Sequence, residues 1–288
     1  MIKPMLATSM NKGVITNWSD WAVEEKLDGH RIVVVVDATG AVSGWARPRG
    51  SDKRMLERDL PKHIVNELAQ LPAGVYDGEL LVPGHTSTDV TRLDLAGSLR
   101  YVVFDVLRQA GDDWTGLPYV ERREVLDRAF SYRRFTAVSL IAVEGATCQE
   151  NVTRFVDQVW GRGGEGVILK RWSAPYRPGK RSPDWIKVKK LQTTVVTVIG
   201  FEPSKGTVRF PGHPFAIVKV RDDDGHETTV KTKDDGELTQ FEIDWSHSRS
   251  LAFDPTHPAI GRRLVIEYQD RTRDGGYRHP RWDRWEDE

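Results

Sequence analysis

Several features are scarce or missing in this chain. A single cysteine, Cys148, stands among 288 residues, which excludes an internal disulfide and a cysteine-based zinc site. Net charge is missing too: 42 basic residues balance 42 acidic ones, so overall charge gives no argument for a nucleic-acid partner, and only local clustering could. No apolar run is long enough to span a bilayer, and the opening "MIKPMLATSM" lacks the apolar core of a secretory signal. A soluble, cytoplasmic protein with no membrane partner is expected. Internal repeats and low-complexity segments are absent as well.

What is present is local. A length of 288 residues is comfortable for two domains. Basic side chains cluster twice: Arg47, Arg49, Lys53, Arg54 and Arg58 in "RPRGSDKRMLER", and Arg171, Arg177, Lys180, Arg181, Lys187, Lys189 and Lys190 against Asp184 alone. Charge runs are more often solvated faces than sites, so the clusters decide nothing by themselves.

The stretch "EEKLDGHR" (Glu24 to Arg31) runs straight into "IVVVV". "RIVVVVDATGAVSGWA" reads as two strands around a glycine-containing turn, which puts Lys26 in the loop entering a buried strand. Residues about 53–70 carry helical spacing in Met55, Leu56, Leu60, Ile64, Val65 and Leu68. "GVYDGELLV", "LRYVVFDVL", "EGVILKR" and "DWIKVKK" read as strands, and the segments near 118–132 and 147–161 as helices. After Lys190 the texture changes to five or so short β-rich runs between Gly, Pro and Asp turns, with a short helix near 234–242. That pattern is consistent with a small barrel of the oligonucleotide-binding type, and the boundary falls near 190–192.

Charged groups interrupt the apolar strands. Lys26, Asp28 and Arg31 open one; Asp77 and Glu79 share one face of another, as do Lys187 and Lys189 of a third. Asp105, Glu165 and Lys170 sit in or beside others. A charge in a buried strand is costly unless paired or ligand-bound. For any one residue a structural ion pair is the better account; for all together one pocket is. Cations such as Lys26, Arg31, Lys187 and Lys189 beside carboxylates such as Glu79 and Glu165 suit a polyphosphate with a divalent metal. A nucleophilic lysine needs its amine free of a proton, against an unperturbed pKa of ≈ 10.4. Nearby cations favour the neutral amine, and a shift of about three units is worth roughly 4 kcal/mol. Composition alone leaves two roles open, nucleophile or simple phosphate counter-charge.

Taken in order, Lys26-Leu-Asp28-Gly29-His-Arg31, Asp77-Gly78-Glu79, Phe104-Asp105, Glu165-Gly166-Val-Ile-Leu-Lys170 and Trp185-Ile-Lys187-Val-Lys189 resemble the signature series of covalent nucleotidyltransferases. The likeness is to ATP-dependent DNA ligases of the small two-domain kind found in bacteria and viruses. It implies an α+β fold: a nucleotidyltransferase (adenylation) domain with antiparallel sheets and flanking helices over 1–190, then an all-β OB-fold barrel over 191–288.

The resemblance also implies roles. Lys26 attacks the α-phosphate of ATP and carries AMP. Glu24 lies where the adenine is contacted, and Phe104 stacks on the base. Arg31 and Glu79 engage the ribose and nick-phosphate region. Glu79 and Glu165 hold Mg²⁺ or Mn²⁺, while Lys170, Lys187 and Lys189 hold phosphates. AMP then passes to the 5′-phosphate at a nick in duplex DNA, and the 3′-hydroxyl displaces it. Arg47, Arg49, Lys53 and Arg54 are expected on the DNA backbone, and a monomer is expected.

Two departures stand out. The DNA-contacting Ser/Thr-Arg-x-Gly signature is replaced by "ARPRG", residues 46–50, with Arg47 the first choice for the arginine and Arg49 its rival. The final basic signature has only "RWEDE" to offer, so Arg284 is the candidate pyrophosphate contact. The nearest alternatives are an RNA ligase or an mRNA capping-type enzyme, the latter tending to carry Thr where Leu27 stands. An NAD⁺-dependent ligase is disfavoured by the short leader before Lys26 and the single cysteine. Outside the superfamily, the alternative is a nucleic-acid-binding protein with a vestigial nucleotide pocket.

Overall fold

The unbroken run Ile32 to Val36 lies in a strand covered on both faces. Ile32, Val34 and Val36 face one apolar core and Val33 faces another, which is why no polar residue alternates with them. A computed structural model describes residues 1–10, 15–47, 54–202, 217–231, 258–272 and 274–287. Two compact units are resolved, Met1–Lys189 and Lys190–Glu288.

In the first unit the chain forms β1 (Leu6–Ser9), β2 (Trp21–Glu25), β3 (His30–Val36), β4 (Val42–Ala46), β5 (Leu56–Arg58), α1 (Lys62–Leu68), β6 (Gly74–Leu81), β7 (Arg100–Gln109) and β8 (Asp112–Asp113). It continues through α2 (Tyr119–Ser131), β9 (Val138–Leu140), β10 (Val143–Gly145), α3 (Gln149–Gly161), β11 (Gly166–Arg171) and β12 (Arg181–Lys189). One sheet has the order β1-β12-β11-β2-β10; the other runs β5-β4-β3-β6-β7-β8, with β9 added against β7. Helix α3 covers the first sheet through Val152, Val156 and Val159. Helices α1 and α2 cover the second through Ile64, Leu68, Val125 and Leu126. Between the sheets, Val33, Val75 and Leu107 pack with Trp185 and Tyr176.

Two expectations are corrected. The sheets are mixed rather than antiparallel, because β1 pairs with β12 and β7 with β9 in parallel. Neither pair is joined by a hairpin, so no tight turn imposes the antiparallel sense. The helix expected from about residue 53 begins only at Lys62. Pro61 disfavours helical backbone at the residue before it, and Leu56–Arg58 is an edge strand on β4 instead. The short helix that follows is tied down by Glu67, which accepts backbone N–H groups from Thr136, Ala137 and Val138. Burial alone would raise that carboxyl, but these bonds and the Thr136 hydroxyl bring it down to about 2.

The second unit contains β13 (Gln192–Glu202), β14 (Ile217–Arg221), β15 (Glu227–Lys231), β16 (Arg263–Tyr268), β17 (Asp270–Arg271), β18 (Tyr277–Arg278) and β19 (Arg281–Trp285). Five of them make an antiparallel sheet, β15-β14-β13-β16-β19, around Val196, Val218, Leu264 and Trp282. The helix expected near 234–242 lies outside the described residues. Among the described residues, no helix is long and apolar enough to cross a membrane.

Candidate active site

The loop Lys26 to Gly29 leaves β2 in one sheet and enters β3 in the other. Its start is pinned, because the Lys26 backbone N–H donates to the Gly166 carbonyl at 2.8 Å. Its end is tight: a Cβ on Gly29 would lie 2.3 Å from the Leu80 carbonyl oxygen and 2.9 Å from Glu79 Cγ. Only glycine allows this approach. Gly29→Ala is expected to cost about 1–3 kcal/mol of stability, read as a lowered melting temperature by circular dichroism; an unchanged melt would contradict the packing described.

Beside this loop lies a cavity of about 470 Å³, lined from both sheets by Glu24, Lys26, Glu79, Phe104, Lys170 and Trp185 among others. That volume lies in the usual range for small-molecule sites. Lys26 Nζ is 2.5 Å from Glu165 Oε2, and the other oxygen of Glu165 pairs with Lys189. Lys187 also lines the cavity; it stands opposite Ile168, two residues along β12 from Lys189.

Deeper, Lys170 Nζ is 2.8 Å from Glu24 Oε2 and donates to the Phe104 carbonyl at 3.0 Å. Both side chains of the Lys170–Glu24 pair are buried, and burial pushes the Glu24 carboxyl up and the Lys170 ammonium down. The ammonium also lies over the rings of Phe104 and Trp185, 4.7 and 4.5 Å from their centroids. Arg31 is held bidentately by Asp77 at 2.9 and 2.5 Å, and its guanidinium sits 5.2 Å from the Phe104 ring centroid. Burial opposes that charge, yet Asp77 outweighs it and holds Arg31 above its ordinary range. Glu79 pairs with Arg31 in the β3–β6 register. Its carboxyl is pushed up to about 8 by burial, against the pull of Lys26 and Arg31.

Lys26, Glu24, Arg31, Glu79, Phe104, Lys170 and Lys187 therefore share one cavity, with Glu165 and Lys189 joined to it through Lys26. Arg47, exposed at the end of β4, lines it too, and Arg54 is exposed nearby in sequence. Arg49 and Lys53 lie outside the described residues. Arg284 belongs to the second unit, its exposed side chain 2.6 Å from Asp283. Two acids that interrupt strands do not line the cavity: Asp77 is committed to Arg31 and Tyr176, and Asp105 to Arg122. In the second unit Asp222, Asp224 and His226 bring ligand atoms together, but Asp222 is already taken by the Tyr277 hydroxyl and Arg271.

Sequence reasoning passed over Arg58, Arg181 and Trp185 as individual lining residues. The two arginines stood only within basic runs. Trp185 opened a quoted motif, the one local signal that could have marked it.

The matching family model, "ATP dependent DNA ligase domain", spans residues 4–189. DNA ligase 1 of Korarchaeum cryptofilum is 26% identical over 269 residues, 85% of this chain and 47% of the relative. A protein of Streptomyces griseus named "Probable DNA ligase" is 30% identical over 92% of this chain and 55% of its own length. This chain thus spans about half the length of these curated relatives. A solved structure from a study of Lig E DNA ligases has the same fold, with a TM-score of 0.69 and 20% identity over 99% of both chains. On the family model, matched across all but the first three residues of the unit that carries the cavity, the chain belongs to the ATP-dependent DNA ligase domain family.

Proposed function

We propose that this chain seals nicks in duplex DNA at the expense of ATP, with Lys26 as the group that carries AMP. The observation that carries the reading is Lys26 at the wall of a cavity whose other residues suit a nucleotide: Phe104 for a base and Lys187 for phosphates. Family membership favours it over an RNA ligase, a capping-type enzyme or a vestigial binder.

In this reading Lys26 Nζ attacks the α-phosphate of ATP, its bond to phosphorus forms, and pyrophosphate leaves. Glu165 Oε2, 2.5 Å from the amine, fixes its position and offers an acceptor for the departing proton. Lys26 then yields AMP to the 5′-phosphate of the nick, and the 3′-hydroxyl attacks that phosphate with AMP leaving. Arg31, rigid against Asp77, and Lys187 hold charge in place throughout, so the protein contributes mainly positioning and electrostatics. Arg47, Arg49, Lys53 and Arg54 would meet the DNA backbone, and Arg284 the pyrophosphate. The second unit, a five-stranded antiparallel sheet, would be the OB-fold barrel that closes on duplex DNA, the protein acting as a monomer.

The donor set fits a hard divalent cation. Glu79 and Glu165 offer carboxylate oxygens, leaving the remaining positions to phosphate oxygens and water, as suits Mg²⁺ or Mn²⁺. When bound, the ion would offset charge on the phosphate in transfer. Glu79 must lose its proton to take part. Because its carboxyl is pushed up to about 8 by burial, the affinity of the nucleotide-free protein for Mn²⁺ should rise about tenfold per pH unit up to that point and then level. Calorimetric titration should show the slope, and Glu79→Gln should flatten it. The same shift sets the sign for folding. A carboxyl raised in the folded state adds stability below its ordinary pKa of 4.5 that is lost as pH climbs towards about 8.

The reading is tested with ATP radiolabelled at the α-phosphate, then with nicked DNA and nicked RNA offered in parallel. Label on the protein that is discharged by nicked DNA supports it. Absence of label, or discharge by RNA alone, would overturn it.

A further inference from the structure

We infer that Tyr119 is a positioning residue for base selection. Together with Lys170 it holds Glu24 as a hydrogen-bond acceptor at the cavity wall, so the site takes a purine with an exocyclic amine, adenine, over one with an oxo group there, guanine. The inference rests on the nucleotide reading of the cavity and deepens it.

Tyr119 opens α2, is fully buried, and lies behind the cavity wall formed by Glu24. Its hydroxyl donates to Glu24 Oε1, while Lys170 Nζ is 2.8 Å from Glu24 Oε2. Each carboxylate oxygen thus has one protein donor. Glu24 is only 2% exposed, yet it lines the same cavity as Phe104, so its remaining lone pairs are available to a bound base.

The tyrosine cannot swing away. Its ring stacks on Trp172, with centroids 5.6 Å apart and planes at 20°. The Arg122 guanidinium lies 5.6 Å from its centroid and Lys170 Nζ 4.7 Å. The backbone is tied as well, with the Val120 N–H donating to the Trp172 carbonyl at 3.0 Å.

A carboxylate only accepts hydrogen bonds, whereas a carboxylic acid also donates one. An accepting Glu24 meets the amine of adenine favourably and repels the oxo group of guanine. A protonated Glu24 could satisfy either. Burial drives the carboxyl towards the protonated form, and Lys170 and Tyr119 oppose it. Removing the hydroxyl takes away one of the two donors that keep Glu24 an acceptor. Sites that reject a base by leaving buried polar groups unpaired do so strongly.

The test uses the full chain with Mg²⁺ and either ATP or GTP labelled at the α-phosphate, comparing wild type with Tyr119→Phe. Both nucleotides are measured on the same preparation, so a partly unfolded fraction cancels from their ratio. Wild type should favour ATP, and Tyr119→Phe should lower the ATP:GTP ratio of kcat/KM by about tenfold or more, the change falling on KM. A purely structural role would depress both nucleotides equally and leave the ratio unmoved, which overturns the inference. If Tyr119→Phe does not fold, Glu24→Gln gives the same reading, since its amide can turn a donor towards guanine; an unchanged ratio there is equally fatal. A wild type labelled equally by ATP and GTP overturns the inference and leaves the nucleotide reading standing. A wild type labelled by neither removes both.

Discussion

Lys26→Ala ends covalent labelling of the protein by ATP, with a loss of at least about 10⁴-fold in rate, the scale seen when a nucleophile is removed. Lys189 is bound to the second oxygen of Glu165, and Lys170 is buried between Glu24 and the Phe104 carbonyl. The fold should survive, because Glu165 keeps Lys189 when Lys26 is lost. An unshifted thermal melt beside absent labelling would separate chemistry from stability. The same variant should still join a nick supplied with AMP already on its 5′-phosphate, since that step makes no use of the amine. Loss of this last activity along with the first would point to a damaged site rather than a missing nucleophile.

Arg122→Met lowers stability by about 3–5 kcal/mol, the cost of leaving a buried charge without its partner. Arg122 and Asp105 are both fully buried, joined at 2.7 and 2.9 Å. The guanidinium also serves the carbonyls of Leu117 and Ala174 at 2.5 and 3.2 Å. For a unit of this size the loss corresponds to roughly 6–20 °C in melting temperature. Pairing it with Asp105→Asn should recover much of the deficit, because the uncompensated carboxylate is then gone. Equal melts for the single and double variants would show that the carbonyl bonds, not the ion pair, carry the cost.

The strands around the cavity were legible because their apolar runs are short and β-branched, and because the charges that break them fall at fixed places. Lys26, Glu79, Lys170 and Lys187 could be assigned to one pocket on that basis, and Phe104 only through the family resemblance; all five line one cavity. Partnership was not legible. Asp77 and Asp105 look like Glu79 in sequence, an acid within an apolar strand. Only the fold brings Arg31 and Arg122 to them and commits them to structure. Tyr119 left no local mark, since an aromatic residue at the start of an amphipathic helix reads as ordinary core. The parallel pairing of β1 with β12 was hidden for a related reason: it joins the two ends of one unit, and sequence periodicity carries no long-range register. The helix misplaced over 54–60 shows apolar spacing outvoted by one proline.

Peptide mapping by mass spectrometry after incubation with ATP and Mg²⁺, followed by a chase with nicked duplex DNA, tests the central claim most directly. The account predicts one AMP on the peptide containing Lys26, lost on the chase as sealed DNA appears. An adduct on any other residue, or one on Lys26 that nicked DNA does not discharge, would contradict it.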